Sequence, residues 1–355
     1  MEIPHITKKD LYVTSGHWEK FQHELFRITT REGHEFVMKP MNCPHHTQIF
    51  ARKKWSYREM PQRYANTTMC YRDEQTGELS GLSRTRAFCQ DDAHVFCRHT
   101  QAKEELLKIW KIVETFYAAF GFDLKLRLSV RDPKTPEAYL GDPKNWDQAE
   151  AMMRELADEQ GVEYFIGEGE ASFYAPKLDF MGYDSLGRQW QLATIQLDMV
   201  MPVRFGLTCT NEQGEEESIL MIHAAIMGSI DRFLSNLIEH TAGNFPFWLA
   251  PTQVAVLAVN DDCADAALEV AAQLRASGLR VECDLSSESV GKKIRNAAQQ
   301  KVPAKLVVGA REVEAKQVSG VWSLGVNWRT DLEAEGSEAW PLDVILKRMG
   351  ELNHW

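Results

Sequence analysis

The sequence has no stretch from which a membrane anchor or an export signal can be built. The opening residues, MEIPHITKKD, lack the apolar core of a signal peptide. The longest mostly apolar run, near Trp248 to Val259, is too short and too broken to span a bilayer. Cysteine is sparse: seven residues, an odd number without clustered spacing, argue against a disulfide scaffold and for a reducing compartment. The cytoplasm is the expected location. Low-complexity tracts and obvious repeats are also missing. Positive charge is short, and a net charge of −11 speaks against a surface built to coat nucleic acid.

What remains is the composition of a globular protein, 44% hydrophobic and 26% charged, over 355 residues, enough for two domains that each bury a core. The most informative stretch runs from Tyr71 to Phe96. Arg72, Glu74, Arg84 and Arg86 crowd one end, and Gln90, Asp91, Asp92 and His94 the other, with QTGELSGLS between as the loop of a hairpin. Burying such charges for packing alone is costly, and a planar guanidinium suits phosphate. A charged surface hairpin is the alternative on these residues alone.

Periodicity orders the rest. Phe36 to Met38 reads as a strand running into a turn at Pro40 and Pro44, and short helical or irregular pieces follow over Gln48–Lys54 and Ser56–Tyr64. A helix is expected over Gln101–Phe120, stopped by Gly121, and another over Asp147–Gln160, stopped by Gly161. Leu124–Val130 alternates as a strand, and Trp190–Met201 is a long one on which Thr194, Gln196 and Asp198 share a face, as in a substrate cleft. His223–Ala242 reads as a helix ended by Gly243. The run Phe245–Pro251 marks the domain boundary, giving 1–247 and 248–355. The first half fits a mainly antiparallel sheet, while strands and helices alternate in the tail as in a small α/β domain. From Gly291 to Lys316, seven Lys and Arg stand against two Glu, which fits either a polyanion-binding patch or, preferably, scattered surface charge.

In order along the chain, KPMNCPHH (39–46), YRDE…RTRAFCQDDAH (71–94), FYAPK (173–177), WQLATIQLD (190–198) and MIHAAIMGSIDRF (221–233) closely resemble the threonyl-tRNA synthetases, class II aminoacyl-tRNA synthetases. The resemblance covers essentially the whole chain; each motif is weak, and the ordered set is specific. It implies an α+β antiparallel-sheet catalytic domain followed by an α/β anticodon-binding domain. It also implies one zinc ion held by Cys43, His94 and His223, a thiolate and two imidazoles with an open position. The partners implied are ATP with Mg²⁺, L-threonine and tRNA(Thr), and the activity is threonine–tRNA ligation.

Carried over residue by residue, Arg72 would hold the ATP α-phosphate and the amino-acid carboxylate. Glu74 would read the adenine amino group and Phe88 stack on its ring, while Arg84 and Arg232 grip the γ-phosphate. Asp92 and Tyr174 would receive the substrate ammonium, with Gln90 beside the threonine. Lys177, Gln191, Thr194 and Gln196 would line the cleft. His17 matches a histidine that assists proton removal from the tRNA ribose hydroxyl. Glu312 matches an anticodon-reading glutamate.

The sequence also departs from the family pattern. His45 replaces a glycine, Ala175 another, Leu192 and Ala193 a common cysteine and glycine, and Ala224 an arginine. Ser287 stands where asparagine is typical and Val321 where arginine is, and neither reads exposed base edges well. The first motif of the class survives only as Ile3-Pro4, so a homodimer is expected to lose part of its contact if Met1 is the native start. No editing domain is expected. A divergent paralogue that adenylates threonine or a related amino acid for another acceptor, or has a regulatory role, is the second reading. A non-catalytic binding module is the third, disfavoured by the intact metal and ATP positions.

Overall fold

The computed structural model describes residues 1–183, 187–315, 317–322 and 339–353, without the side chains of 319–322 and 339–340. They form two compact units, Met1–Asn236 and Leu237–Trp355. The Pro-rich break at Phe245–Pro251 lies within the second unit, where Phe247 is part of the apolar core.

The first unit is built on seven strands: β1 Gln62–Tyr71, β2 Ala87–Cys97, β3 Lys125–Val130, β4 Tyr164–Glu168, β5 Lys177–Tyr183, β6 Gln189–Asp198 and β7 Leu220–Ala225. Their order is β1-β2-β7-β6-β5-β3-β4, antiparallel throughout except for the parallel pair β3–β4. β1 and β2 are the arms of the charged hairpin, in register from Tyr71 opposite Ala87 to Gln62 opposite Phe96. The helix Ala102–Ala118 buries Leu106, Trp110, Val113 and Tyr117, the stripe its 3.6-residue spacing predicts. Trp110 meets Phe180 of β5 edge-on at 5.2 Å. Phe180 thus faces the helical layer, and its neighbour Asp179 points to the opposite face of the sheet, where its carboxylate receives the Thr194 hydroxyl at 2.8 Å.

One expectation is overturned. His223 does not start a helix but lies within β7, opposite His94 on one side and Gln196 on the other. The helix begins only at Ile230, after Gly228 has turned the chain with a φ of 64°. An apolar run such as Leu220–Ala225 fits a buried central strand and a helix equally well by periodicity. Sheet burial decides, since all six residues are buried. Near the start, Lys9–Ser15 is a helix without a clear sequence signature, ended by Gly16 with a φ of 85°.

The second unit carries β8 Val254–Ala258, β9 Val281–Asp284, β10 Ala304–Val308, β11 Gln317–Trp322 and β12 Ala339–Pro341 in the order β9-β8-β10-β11-β12. β9, β8 and β10 are parallel and the remaining pairs antiparallel. Val254, Val256 and Leu306 fill its core with Leu274 and Met349 from helices. Among the described residues no helix is long and apolar enough to cross a membrane.

Candidate active site

On the face of the first sheet away from the Ala102–Ala118 helix lies a cleft of about 600 Å³. The residues to which the resemblance gives a role in this unit line it: the metal set, Arg72, Glu74, Arg84 and Arg232, and the polar residues from Gln90 to Gln196, with His17 and Phe88; Arg86, Asp91 and Asp198 do not.

At one end three guanidinium groups converge. Arg232 donates from Nε to the Ser83 carbonyl at 2.8 Å, and Arg84 from Nε to Glu74 Oε2 at 2.8 Å. Arg72 lies between the rings of Phe21 and Phe88, its Cζ 5.5 and 5.2 Å from their centres. Burial, then the charges of Arg72 and Arg84, push the Arg232 titration down. Cations held this close are relieved by an anion, and their planar forks fit phosphate oxygens. Glu74, expected to read a base, is buried and ion-paired with Arg84.

At the other end stand Cys43, His94 and His223, all buried, with one donor atom each within 4.8 Å of the others. Cys43 begins the helix Cys43–Ala51, His94 comes from β2 and His223 from the adjoining β7. His94 Nε2 and His223 Nδ1 are 3.1 Å apart. Two nitrogen ligands of a tetrahedral zinc at 2.0–2.1 Å stand about 3.3 Å apart, so the pair fits that edge. The outer nitrogens are also engaged. His223 Nε2 donates to Asp198 Oδ2 at 2.9 Å, and His94 Nδ1 meets His46 Nδ1 at 2.7 Å. Burial holds His94 well below its usual range and thus neutral, as a ligand must be. Burial and the carboxylates of Asp92 and Asp198 push the Cys43 thiol well up. Only a cation in place of the proton favours the thiolate there. The donor set fits zinc.

Between these ends, Asp92 accepts from the backbone and side-chain nitrogens of Asn42 at 3.2 and 2.9 Å, and burial raises it to about 6. Tyr174 stacks on His223, centroids 4.9 Å apart. Lys177 Nζ lies 3.4 Å from Asp179, and Ser172 donates to Gln196 at 3.3 Å. Gln90 keeps its buried Oε1 without a partner. His17 is fully buried, its Nδ1 2.8 Å from Ser15 Oγ and its Nε2 unpartnered. Because the Ser15 hydroxyl donates to the Tyr12 carbonyl, it accepts from His17 Nδ1, which leaves a lone pair on Nε2.

Residues 26–241 match the tRNA synthetase class II core domain (G, H, P, S and T), and residues 253–321 the anticodon binding domain. A threonine–tRNA ligase of Porphyromonas gingivalis is 47% identical over 319 residues, 89% of this chain and 49% of the relative. One from Pelodictyon phaeoclathratiforme is 45% identical over 322 residues, again 89% and 49%. The solved RNA binding domain of threonyl-tRNA synthetase from Cryptosporidium parvum superposes with a TM-score of 0.89 at 34% identity, covering 99% of this chain and 85% of that one.

The chain belongs to the class II threonyl-tRNA synthetase family.

It spans about half the length of the curated relatives it matches. Within this synthetase fold, several departures from the family pattern stay out of the cleft. Leu192 is not one of them: it lines the cleft and also packs over Gly182, where a Cβ would come within 2.4 Å of its methyl. Ala193 and Ala175 are buried and do not line the cleft, whereas Ala224 does. His45 is buried and bonds Thr7 Oγ1 at 2.7 Å through Nε2. In the tail, Glu312 accepts from the Gly309 backbone at 3.1 Å and so caps the helix Ala310–Ala315. Ser287 is exposed, and the Val321 side chain lies outside the described residues. The basic run is not one patch: Lys293 and Lys305 are buried, Lys292 pairs with Glu288, and Lys316 lies outside the described residues.

The sequence reading missed Asn42, which holds Asp92, and His46, which touches His94. Both lie inside the quoted KPMNCPHH, but nothing in spacing separates a supporting histidine from a core one. Asp198 was placed on the cleft face by its two-residue period; it is fully buried beside His223.

Proposed function

We propose that this chain activates L-threonine with ATP and transfers it to tRNA(Thr). The observation that carries this reading is the arrangement of one cleft. A Cys-His-His donor set suited to a β-hydroxy amine occupies one end and three convergent arginines the other. A zinc ion, one per chain on Cys43, His94 and His223, would supply a Lewis acid for the amino and hydroxyl groups of threonine. Asp92 and Tyr174 accept hydrogen bonds from the N–H groups of the substrate amine, and Arg72 turns the carboxylate toward the ATP α-phosphorus. A carboxylate oxygen then bonds to that phosphorus as the bond to the bridging oxygen breaks. Pyrophosphate leaves under the hold of Arg84 and Arg232, with Mg²⁺ arriving as the counter-ion of ATP. This is positioning and charge neutralisation rather than covalent catalysis. In the second step the Nε2 lone pair of His17 takes part in removing the proton of the tRNA ribose hydroxyl. Lys177, Gln191, Thr194 and Gln196 line the path, and Glu312 belongs to the anticodon-facing unit. Catalytic and anticodon-binding domains divide near residues 247–248, and the chain works as a homodimer. Seven free cysteines suit a cytoplasmic enzyme.

A site that engages the hydroxyl rejects valine by roughly 10⁴–10⁵-fold, whereas serine loses only a methyl, worth about 1–3 kcal/mol. The test is threonine-dependent pyrophosphate exchange, followed by transfer of labelled threonine to a tRNA(Thr) transcript. Exchange with serine weaker by roughly 10–200-fold, and none with valine, is the expected pattern. Absence of threonine-dependent exchange in zinc-replete protein sinks the proposal. Exchange without transfer favours the divergent paralogue, a reading that draws on the helix-capping bond of Glu312 and on Ser287.

A further inference from the structure

His46 is fully buried in the helix Cys43–Ala51, three residues after Cys43, and makes one hydrogen bond through Nδ1. Its partner is His94 Nδ1, 2.7 Å away, and the two rings meet edge to face at 4.8 Å. The far nitrogen, Nε2, is buried without a partner beside the Tyr64 ring. Two nitrogens at this distance share one proton, so one ring donates and the other accepts. His223 is fixed, because its Nε2–H donates to Asp198 and its Nδ1 lone pair therefore points at His94 Nε2, 3.1 Å away.

That leaves two proton arrangements for His94. In the first its Nε2–H donates to His223 Nδ1, and His46 donates to His94 Nδ1; no lone pair then faces Cys43 and His223. In the second the His94 proton moves to Nδ1 and is accepted by His46, which frees Nε2 as a ligand. Both histidines stay neutral in both, and only the tautomers change.

We propose that His46 is a positioning residue that holds His94 in its metal-binding tautomer by accepting the Nδ1 proton. The inference rests on the metal reading above and adds to it a fourth buried residue that touches no metal. Outer hydrogen-bond partners of this kind fix ring orientation, and their loss weakens metal binding by roughly 10–100-fold. Leu at position 46 fills similar space and accepts nothing, while the Gln side chain offers a carbonyl oxygen.

Zinc dissociation constants are measured by competition with a chromophoric chelator for wild type, His46→Leu and His46→Gln, with thermal melts recorded alongside. Affinity is expected to fall roughly 10–100-fold in His46→Leu and to return most of the way in His46→Gln. Nitrogen-15 spectra of zinc-loaded wild type are expected to show His46 protonated on Nε2 and His94 on Nδ1. Wild-type affinity in His46→Leu, or His46 protonated on Nδ1 in the loaded protein, overturns the inference while leaving the metal site intact. Wild-type protein that takes up no zinc overturns both. If His46→Leu does not fold, the nitrogen-15 assignment alone decides.

Discussion

Buried beside Asp92 and Asp198, the Cys43 sulfhydryl has its titration pushed so far up that it carries no charge unless a cation replaces its proton. Serine keeps the shape but is a far poorer zinc donor. Cys43→Ser is therefore expected to lower zinc from about one per chain to a small fraction and to abolish threonine-dependent pyrophosphate exchange. Metal analysis and the exchange assay check it; full exchange by metal-free protein would count against the site. His17 lends itself to a different test. Burial, with His223 and Arg72 nearby, lowers it to about 3, so its Nε2 lone pair is present throughout the working range. Lowering the pH from about 8 to 6 should leave transfer to tRNA unaffected through this group. Replacement by Asn should slow transfer by roughly 10²–10⁴-fold and spare pyrophosphate exchange. A wild-type transfer rate that titrates near the ordinary imidazole value, and loses that titration in His17→Asn, contradicts the assignment. At this scale the motifs named the Cys-His-His set and the arginines that the fold brings into one cleft. Asn42 and His46 escaped because their roles depend on which side chain of β2 each meets from the helix Cys43–Ala51 or its N-cap.

The link between β7 and the helix Ile230–His240 sets where Arg232 points. Gly228 makes the turn with a φ of 64°, its carbonyl accepts from Asp91 N at 3.2 Å, and a Cβ there would lie 3.1 Å from the Leu192 carbonyl. An alanine at this position is strained twice, by the left-handed backbone and by the close oxygen. Gly228→Ala is expected to cost about 1–3 kcal/mol and to raise the KM for ATP more than that for threonine, since the helix carries Arg232 and the metal donors precede the turn. Urea denaturation and exchange kinetics test it; an unchanged ATP KM in a destabilised protein breaks the link to Arg232. The same segment shows where sequence patterns run out. Helices such as Ala102–Ala118 were legible because a polar face alternates with an apolar one. Leu220–Ala225 carries a single polar residue, His223, too little to set a period, and its pairing with β2 and β6 decided its form.

Across the whole molecule the negative net charge coexists with lysines taken out of water. Lys305 on the central strand β10 is 1% exposed, and burial pushes its titration from its ordinary 10.5 down to about 8. The alternation of strands and helices in the tail made this sheet readable, yet the same lysine was counted in a basic run. A strand buried on both faces of a parallel sheet hides its polar residues as well as its apolar ones. The folded form disfavours the charged amine, so between about pH 8 and pH 10.5 the unfolded chain binds more protons. Stability then rises with pH across that window, and below about 8 the full penalty is present. Lys305→Met keeps the aliphatic stem and removes the charge. Its urea midpoint is expected to exceed that of wild type at pH 7, by a margin that shrinks as the pH approaches 10. Other groups titrating in this range do so in both proteins and drop out of the difference. A margin that stays constant with pH would mean that the Lys305 amine is as well solvated folded as unfolded, and that the strand does not bury a charge.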